Sequence, residues 1–115
     1  MSYPAALALT LVVEVPLYLA ALRLAGVWVG RTGWPGLAGA ALVVNLATHP
    51  VVWALLMGAG PEYWDRFCIV EAGAWLVETA LLWALVRREL LLIALVALVA
   101  NLASVLAGLL VARLA

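Results

Sequence analysis

Residues 90–111 of this chain read LLLIALVALVANLASVLAGLLV, a run of 22 residues without a charged side chain. An α-helix needs ~20 mostly apolar residues to cross the hydrocarbon core of a bilayer. The run therefore predicts a transmembrane helix. The whole chain has a matching composition, since 70% of its 115 residues are hydrophobic and 10% are charged, whereas soluble domains are about half apolar and about a quarter charged.

Three further runs have a similar length and apolar character, at residues 4–24, 35–59 and 62–86. Glycines, prolines and arginines separate the four runs, including Gly60-Pro61 before the third and Arg87-Arg88-Glu89 before the fourth. Gly and Pro are the residues that most often interrupt regular structure. We therefore expect a single all-α integral membrane domain over residues 1–115, with four transmembrane helices.

The fourth run also contains half of an internal repeat. Residues 97–104 read ALVANLAS and residues 41–48 read ALVVNLAT, so six of eight positions are identical. The first and third runs share a Val-Glu pair that ends at Glu14 and Glu78. Glu and Asn recurring in the same order within apolar segments is an uncommon coincidence, and weak internal symmetry of this kind is frequent in transporters. The pattern predicts the duplication of a two-helix hairpin.

The repeat divides the chain into unit one at residues 4–59 and unit two at residues 62–113. Because each unit has two helices, both units enter the membrane from the same side. The duplication is therefore parallel, and its expected pseudo-twofold axis lies along the membrane normal.

The distribution of arginine predicts the orientation of the chain. Four arginines lie on the side of the loops after the first and third helices, and two lie on the opposite side: Arg23, Arg31, Arg87 and Arg88 against Arg66 and Arg113. Cytoplasmic loops carry the excess of basic residues. We expect both termini outside, in the cytoplasmic membrane of a bacterium or archaeon.

Two acids and two amides fall near the middle of the four predicted helices: Glu14, Asn45, Glu78 and Asn101. A carboxylate at mid-bilayer depth costs ~3 kcal/mol on insertion scales, and no Arg or Lys lies at the same depth. The acid is then protonated, bound to a cation or exposed to a wet cavity. Each of these arrangements is more often functional than structural, although a protonated Glu and an Asn also clamp helices by hydrogen bonding.

Four other polar residues complete the candidate ion- or substrate-binding site: Thr48, His49, Glu71 and Ser104. Thr48 and Ser104 each follow their asparagine by three residues and share its helix face. Glu71 lies two turns before Glu78, nearer the outer surface. His49 is a candidate proton relay, metal ligand or hydrogen-bond partner. The pattern leaves the metal and any cofactor unidentified.

These residues favour a proton- or cation-coupled transporter or channel that acts as a homo-oligomer, since four helices are too few to enclose a path with two gates. The alternative is an accessory or structural subunit of a larger membrane complex. An enzyme is disfavoured, because no Ser–His–Asp or His-Glu-x-x-His arrangement occurs. The expected partners are the lipid bilayer and other membrane subunits, and the net charge of zero gives no reason to expect nucleic acid.

Overall fold

The computed structural model describes residues 2–26, 33–57 and 63–114, which form four α-helices. These are α1 (Tyr3–Leu24), α2 (Trp34–Met57), α3 (Tyr63–Val86) and α4 (Leu90–Leu114). All four are long and apolar enough to cross a membrane, because 22 to 25 residues extend about 33 to 38 Å at about 1.5 Å per residue. The prediction of an all-α chain with four such helices is confirmed.

The ends of the helices differ from the predicted ones by a few residues. Helix α1 begins at Tyr3, where the Ser2 side chain accepts a hydrogen bond from the Ala5 N–H at 3.4 Å. Helix α4 continues to Leu114, beyond the predicted end at residue 111. The predicted end of the second helix and start of the third fall at residues 58–62, outside the described residues. Arg31, which the orientation argument used, also lies outside them.

The helices are arranged in a ring in chain order. Helix α1 packs against α2 and α4, and α3 packs against the same two neighbours. Within the described part of the chain the backbones of the diagonal pairs, α1 with α3 and α2 with α4, do not come into contact. Side chains from all four helices therefore meet along the axis of the bundle.

One half of the bundle is closely packed. Its core consists of apolar side chains from all four helices, with exposed fractions of 6% or less: Leu22, Leu37, Leu82, Val86 and Ile93. This closed half contains the C-terminal ends of α1 and α3 and the N-terminal ends of α2 and α4. Burial of such side chains is worth about 1.5–3 kcal/mol each in water; between helices in lipid, close packing is the main attraction instead.

The other half of the bundle lacks such a core. Among the residues whose burial is described, none is buried in four segments: 2–13 of the α1 side, 49–57 of α2, 64–73 of α3 and 102–114 of α4. We call this part the open half. Polar side chains lie at the boundary between the closed half and the open half.

A three-residue turn, Arg87-Arg88-Glu89, joins α3 to α4 at the closed end. The Arg87 N–H donates to the Trp83 carbonyl at 2.7 Å and ends α3, and the Ile93 N–H donates to the Glu89 carbonyl at 2.9 Å in the first turn of α4. Arg87 and Glu89 have φ values of 62° and 56°. Both are in the left-handed region, which is unfavourable for residues that have a Cβ atom.

Candidate functional site

Four polar residues, one from each helix, lie at the boundary between the closed and open halves. Glu14, Asn45, Glu78 and Asn101 are between 0% and 7% exposed. We call them the polar layer. Burying polar groups costs free energy unless they are hydrogen-bonded, so the partners of each group decide what this layer can do.

The Glu78 carboxylate accepts hydrogen bonds from three helices. Tyr18 of α1 donates its hydroxyl to Oε2 at 3.1 Å, and Thr48 of α2 donates to Oε1 at 2.9 Å. Asn101 of α4 donates Nδ2 to Oε2 at 2.6 Å. Since Glu78 itself belongs to α3, this one side chain connects all four helices.

The Glu14 carboxyl has a much smaller set of partners. Ser104 of α4 donates its hydroxyl to Oε1 at 2.6 Å. The other oxygen, Oε2, is buried and has no hydrogen-bond partner among the described residues. Glu14 and Glu78 are close enough to interact electrostatically.

Asn45 carries a second unsatisfied oxygen next to this one. Its Nδ2 donates to the Ala41 carbonyl one turn back at 2.9 Å, and its side chain lies beside Glu14. Its Oδ1 is buried and unpaired within the described ranges. Asn45 and Glu14 thus present two oxygen acceptors without a partner, beside an Asn45 amide group that has a second N–H in addition to the one bonded to Ala41.

The hydroxyls reach the carboxyl groups crosswise between the two predicted repeat units, called here the first and second repeat. Thr48 of the first repeat donates to Glu78 of the second, and Ser104 of the second donates to Glu14 of the first. Asn101 donates to Glu78, which lies in the same predicted unit, whereas Glu14 receives its hydrogen bond from Ser104 of the other unit.

Tyr18 accounts for part of the difference between the two carboxyl groups. The corresponding residue of the second repeat, 64 positions later, is Leu82, which has no donor. Both side chains are 0% exposed. Tyr18 was missed in the sequence, although its position one turn after Glu14 on the same helix face was a usable signal.

A cavity of about 350 Å³ extends from the polar layer through the open half. It reaches the helix ends near Ala6, Met57 and Ala112. Its lining includes the carboxyl groups of Glu14, Glu71 and Glu78 but, within the described residues, no arginine or lysine. The charged or ionisable side chains of the described lining are therefore three acids and one histidine, His49.

All eight residues of the predicted site line this one cavity: Glu14, Asn45, Thr48, His49, Glu71, Glu78, Asn101 and Ser104. Their role in binding an ion or substrate stays a prediction. Thr10, Trp53 and Phe67 also line the cavity and were not predicted. Apolar or aromatic residues in a membrane helix carry no sequence signal that separates a cavity wall from a lipid-facing surface.

His49 lies on the cavity wall among aromatic rings. Its ring centroid is 5.5 Å from that of Tyr3 and 6.5 Å from that of Trp53. Its Nδ1 is buried and has no hydrogen-bond partner in the parts of the chain that are described. The same parts contain no group of three His, Cys, Asp or Glu side chains that could hold a metal ion, so nothing in this geometry favours metal ligation by His49.

Comparison with known protein families, characterised proteins and solved structures gives no match. The function is therefore argued from the chemistry of the cavity. That chemistry consists of carboxyl, amide and hydroxyl oxygens beside aromatic and aliphatic walls. Such a set binds protons, cations or hydrogen-bond donors and has little to offer an anion.

Proposed function

We propose that this chain is a membrane transporter or channel that binds a cation in exchange for protons at Glu14 and Glu78. One observation carries the proposal: three carboxyl groups line one cavity that has no arginine or lysine among its described lining residues. Two of these groups are only 2% and 3% exposed. Buried carboxyl groups of this kind are neutralised by protons or by a cation. Because protons and the cation compete for the same site, the movement of one is coupled to the movement of the other.

Insertion in a membrane is part of this proposal. Large apolar side chains cover the outside of the bundle and are more than half exposed, among them Val12, Ile69, Leu91 and Leu106. Lipid would bury this surface. With Arg23, Arg87 and Arg88 on the cytoplasmic side, as the positive-inside rule predicts, the cavity faces outward on the side of both termini.

The proposed duplication is supported by the burial pattern. Glu14, Tyr18 and Leu22 of α1 are buried, and so are the residues 64 positions later in α3. The six buried residues of α2 are Leu37, Ala40, Ala41, Val44, Asn45 and Thr48, and all but Thr48 have a buried counterpart 56 positions later in α4. The crosswise hydroxyl bonds follow the same two-fold pattern. Units 4–59 and 62–113 remain the proposed repeats of one domain.

The closed half supports a carrier more than a permanently open pore. Its core of leucine, isoleucine and valine separates the polar layer from the arginine-rich end. Ions do not cross such a plug without a conformational change, because transfer of charge into an apolar region is costly. We propose that a second state opens this half and that a homo-oligomer provides the surface against which the hairpins move.

The titratable side chains in and around the polar layer come from three helices. Glu14 and Tyr18 come from α1, His49 from α2, and Glu71 and Glu78 from α3. Helix α4 contributes the neutral Asn101 and Ser104. Cation binding should strengthen as pH rises, because deprotonation leaves more negative charge in the cavity.

One observation favours the alternative of an accessory or structural subunit. The three hydrogen bonds to Glu78 come from three different helices, which is what a helix clamp requires. In that case the carboxyl groups stabilise the bundle and bind no cation. The alternative does not explain the cavity beside Glu14 or the two unpaired oxygens.

The deciding experiment measures proton release on cation binding by the protein in lipid nanodiscs. Sodium, potassium and n-butylammonium chloride are added in turn at low buffer strength, between about pH 5 and pH 9. We expect at least one cation to bind and release protons from the wild type. Glu14→Gln and Glu78→Gln should abolish the release, because Gln keeps the shape and cannot titrate.

The matched control is Glu89→Gln, which removes an exposed carboxylate from the turn at the closed end. It should behave like the wild type. If none of the three cations binds to the wild type, or if both site variants match it across the pH range, the transport proposal is wrong. The alternative, an accessory or structural subunit of a larger membrane complex, would then replace it.

A further inference from the structure

We infer that the cation is a primary ammonium group on a small organic body and that its N–H groups bond to Glu14 and Asn45, because the neighbouring Glu78 carboxyl is already hydrogen-bonded. This inference rests on the proposed cation binding and names its ligand class and its position. It starts from the two unpaired acceptors of the polar layer. Glu14 Oε2 and Asn45 Oδ1 belong to side chains that are 2% and 0% exposed, and both side chains line the cavity.

The two carboxyl groups of the polar layer, Glu78 and Glu14, differ in the number of hydrogen bonds that they accept. The Glu78 carboxylate accepts three hydrogen bonds and needs no further donor. On the Glu14 side, two buried oxygens have no donor within the described residues. A buried acceptor without a hydrogen bond costs free energy. A ligand with several N–H donors on one positive centre would satisfy both oxygens and neutralise the carboxylate.

The number of available oxygens favours an ammonium group over a metal ion. Calcium takes six to eight oxygen ligands and magnesium requires a near-octahedral set. Here two oxygens of the polar layer, Glu14 Oε2 and Asn45 Oδ1, lack a hydrogen-bond partner within the described residues. An ammonium group has three N–H donors, which two acceptors and one water molecule satisfy.

The size and lining of the cavity indicate the rest of the ligand. A volume of about 350 Å³ lies within the range of small-molecule sites, which hold about 300–1,000 Å³. A bare ion would leave most of it unfilled. In the open half, the wall of the cavity includes Trp53, Phe67 and Val105. All three side chains can pack against a short aliphatic or aromatic body, and the rings of Trp53 and Phe67 can attract its positive charge.

The test compares two ligands of equal charge on the wild-type protein in nanodiscs by calorimetry. n-Butylammonium has three N–H donors, whereas n-butyltrimethylammonium has none. We expect the primary amine to bind at least about tenfold more tightly, because hydrogen bonds to charged groups are worth 1.5 kcal/mol or more. Equal affinity for the two would overturn the inference, and so would binding of sodium or potassium alone. Either result leaves cation binding itself intact.

Two variants locate the ligand. Asn45→Leu removes one acceptor and should weaken n-butylammonium binding at least about tenfold. Thr79→Val is the matched control, because Thr79 is buried in the same bundle, donates to the Trp75 carbonyl and does not line the cavity. Unchanged affinity in Asn45→Leu would overturn the assignment. If that variant fails to fold, the ligand comparison on the wild type still decides. Failure of every cation to bind overturns the proposed function as well.

Discussion

At the scale of single residues, the hydrogen bond from Tyr18 to Glu78 distinguishes the two carboxyl groups of a nearly symmetric site. The Tyr18 hydroxyl is the one donor to Glu78 that has no counterpart in the other repeat, where Leu82 occupies the equivalent position. Both residues pack equally well in the core, since each is 0% exposed. A single oxygen atom thus changes the number of donors on one carboxyl group while the packing of the bundle is kept.

Tyr18→Phe removes this hydroxyl and keeps the ring. We expect the free energy of unfolding to fall by about 1–2 kcal/mol, because a buried carboxyl group loses one donor. Unfolding by denaturant in bicelles measures the loss. Tyr3→Phe is the control, because the Tyr3 ring lies at the other end of α1 against His49 and Trp53. An equal change in both variants would mean that the Tyr18 hydrogen bond contributes nothing to stability.

At the scale of elements, the connection between α3 and α4 is short and strained. The turn of three residues reverses the chain direction with two left-handed residues, Arg87 and Glu89, neither of which is glycine. Each costs about 1–2 kcal/mol relative to a right-handed conformation. The burial of Leu82, Val86 and Ile93 in the common core of the closed half holds the turn in place.

Glu89→Gly should therefore stabilise the protein by up to about 1 kcal/mol, since glycine adopts positive φ freely but loses more backbone entropy on folding. Glu89→Ala removes the same charge without relieving the strain and should give no gain. Thermal or denaturant unfolding of the two variants measures the difference. A gain of the same size in both would assign the effect to the carboxylate and not to the backbone.

At the scale of the whole molecule, the bundle is closed at one end and hollow at the other. The cavity gives water a path from the open end to the polar layer, and the apolar core blocks it from there on. Three positions of α4 sample three different environments. Val105 lines the cavity, Ala97 is fully buried in the closed half, and Leu106 is 65% exposed on the outside of the bundle.

This difference predicts the reactivity of single cysteines at the three positions. In a Cys68→Ala background, which removes the exposed native thiol, Val105→Cys should react with a charged thiosulfonate reagent added to reconstituted protein. Ala97→Cys and Leu106→Cys should stay unmodified, because thiolates form in water and neither the core nor lipid supplies it. Labelling is read by mass spectrometry. Modification at position 97 under the same conditions would contradict a closed half.

The sequence alone determined the four helices and the polar layer. Helix length and apolar composition are local properties of the sequence. Comparison with the thickness of a bilayer indicates which segments are long enough to cross it. The cost of an acid inside an apolar segment marked Glu14 and Glu78, and the internal repeat then pointed to Asn45 and Asn101. Thr48, His49, Glu71 and Ser104 were added from their positions relative to these four, and the binding role of all eight residues stays a prediction.

Only the tertiary structure decided how these residues pair and which half of the bundle stays open. The rotation of each helix about its axis depends on side-chain packing between neighbours, which no segment encodes by itself. That packing directs Thr48 to Glu78 and Ser104 to Glu14, brings Tyr18 to Glu78, and leaves Glu14 with an unpaired oxygen. The difference between two acids that look equivalent in the sequence arises from contacts made across the bundle.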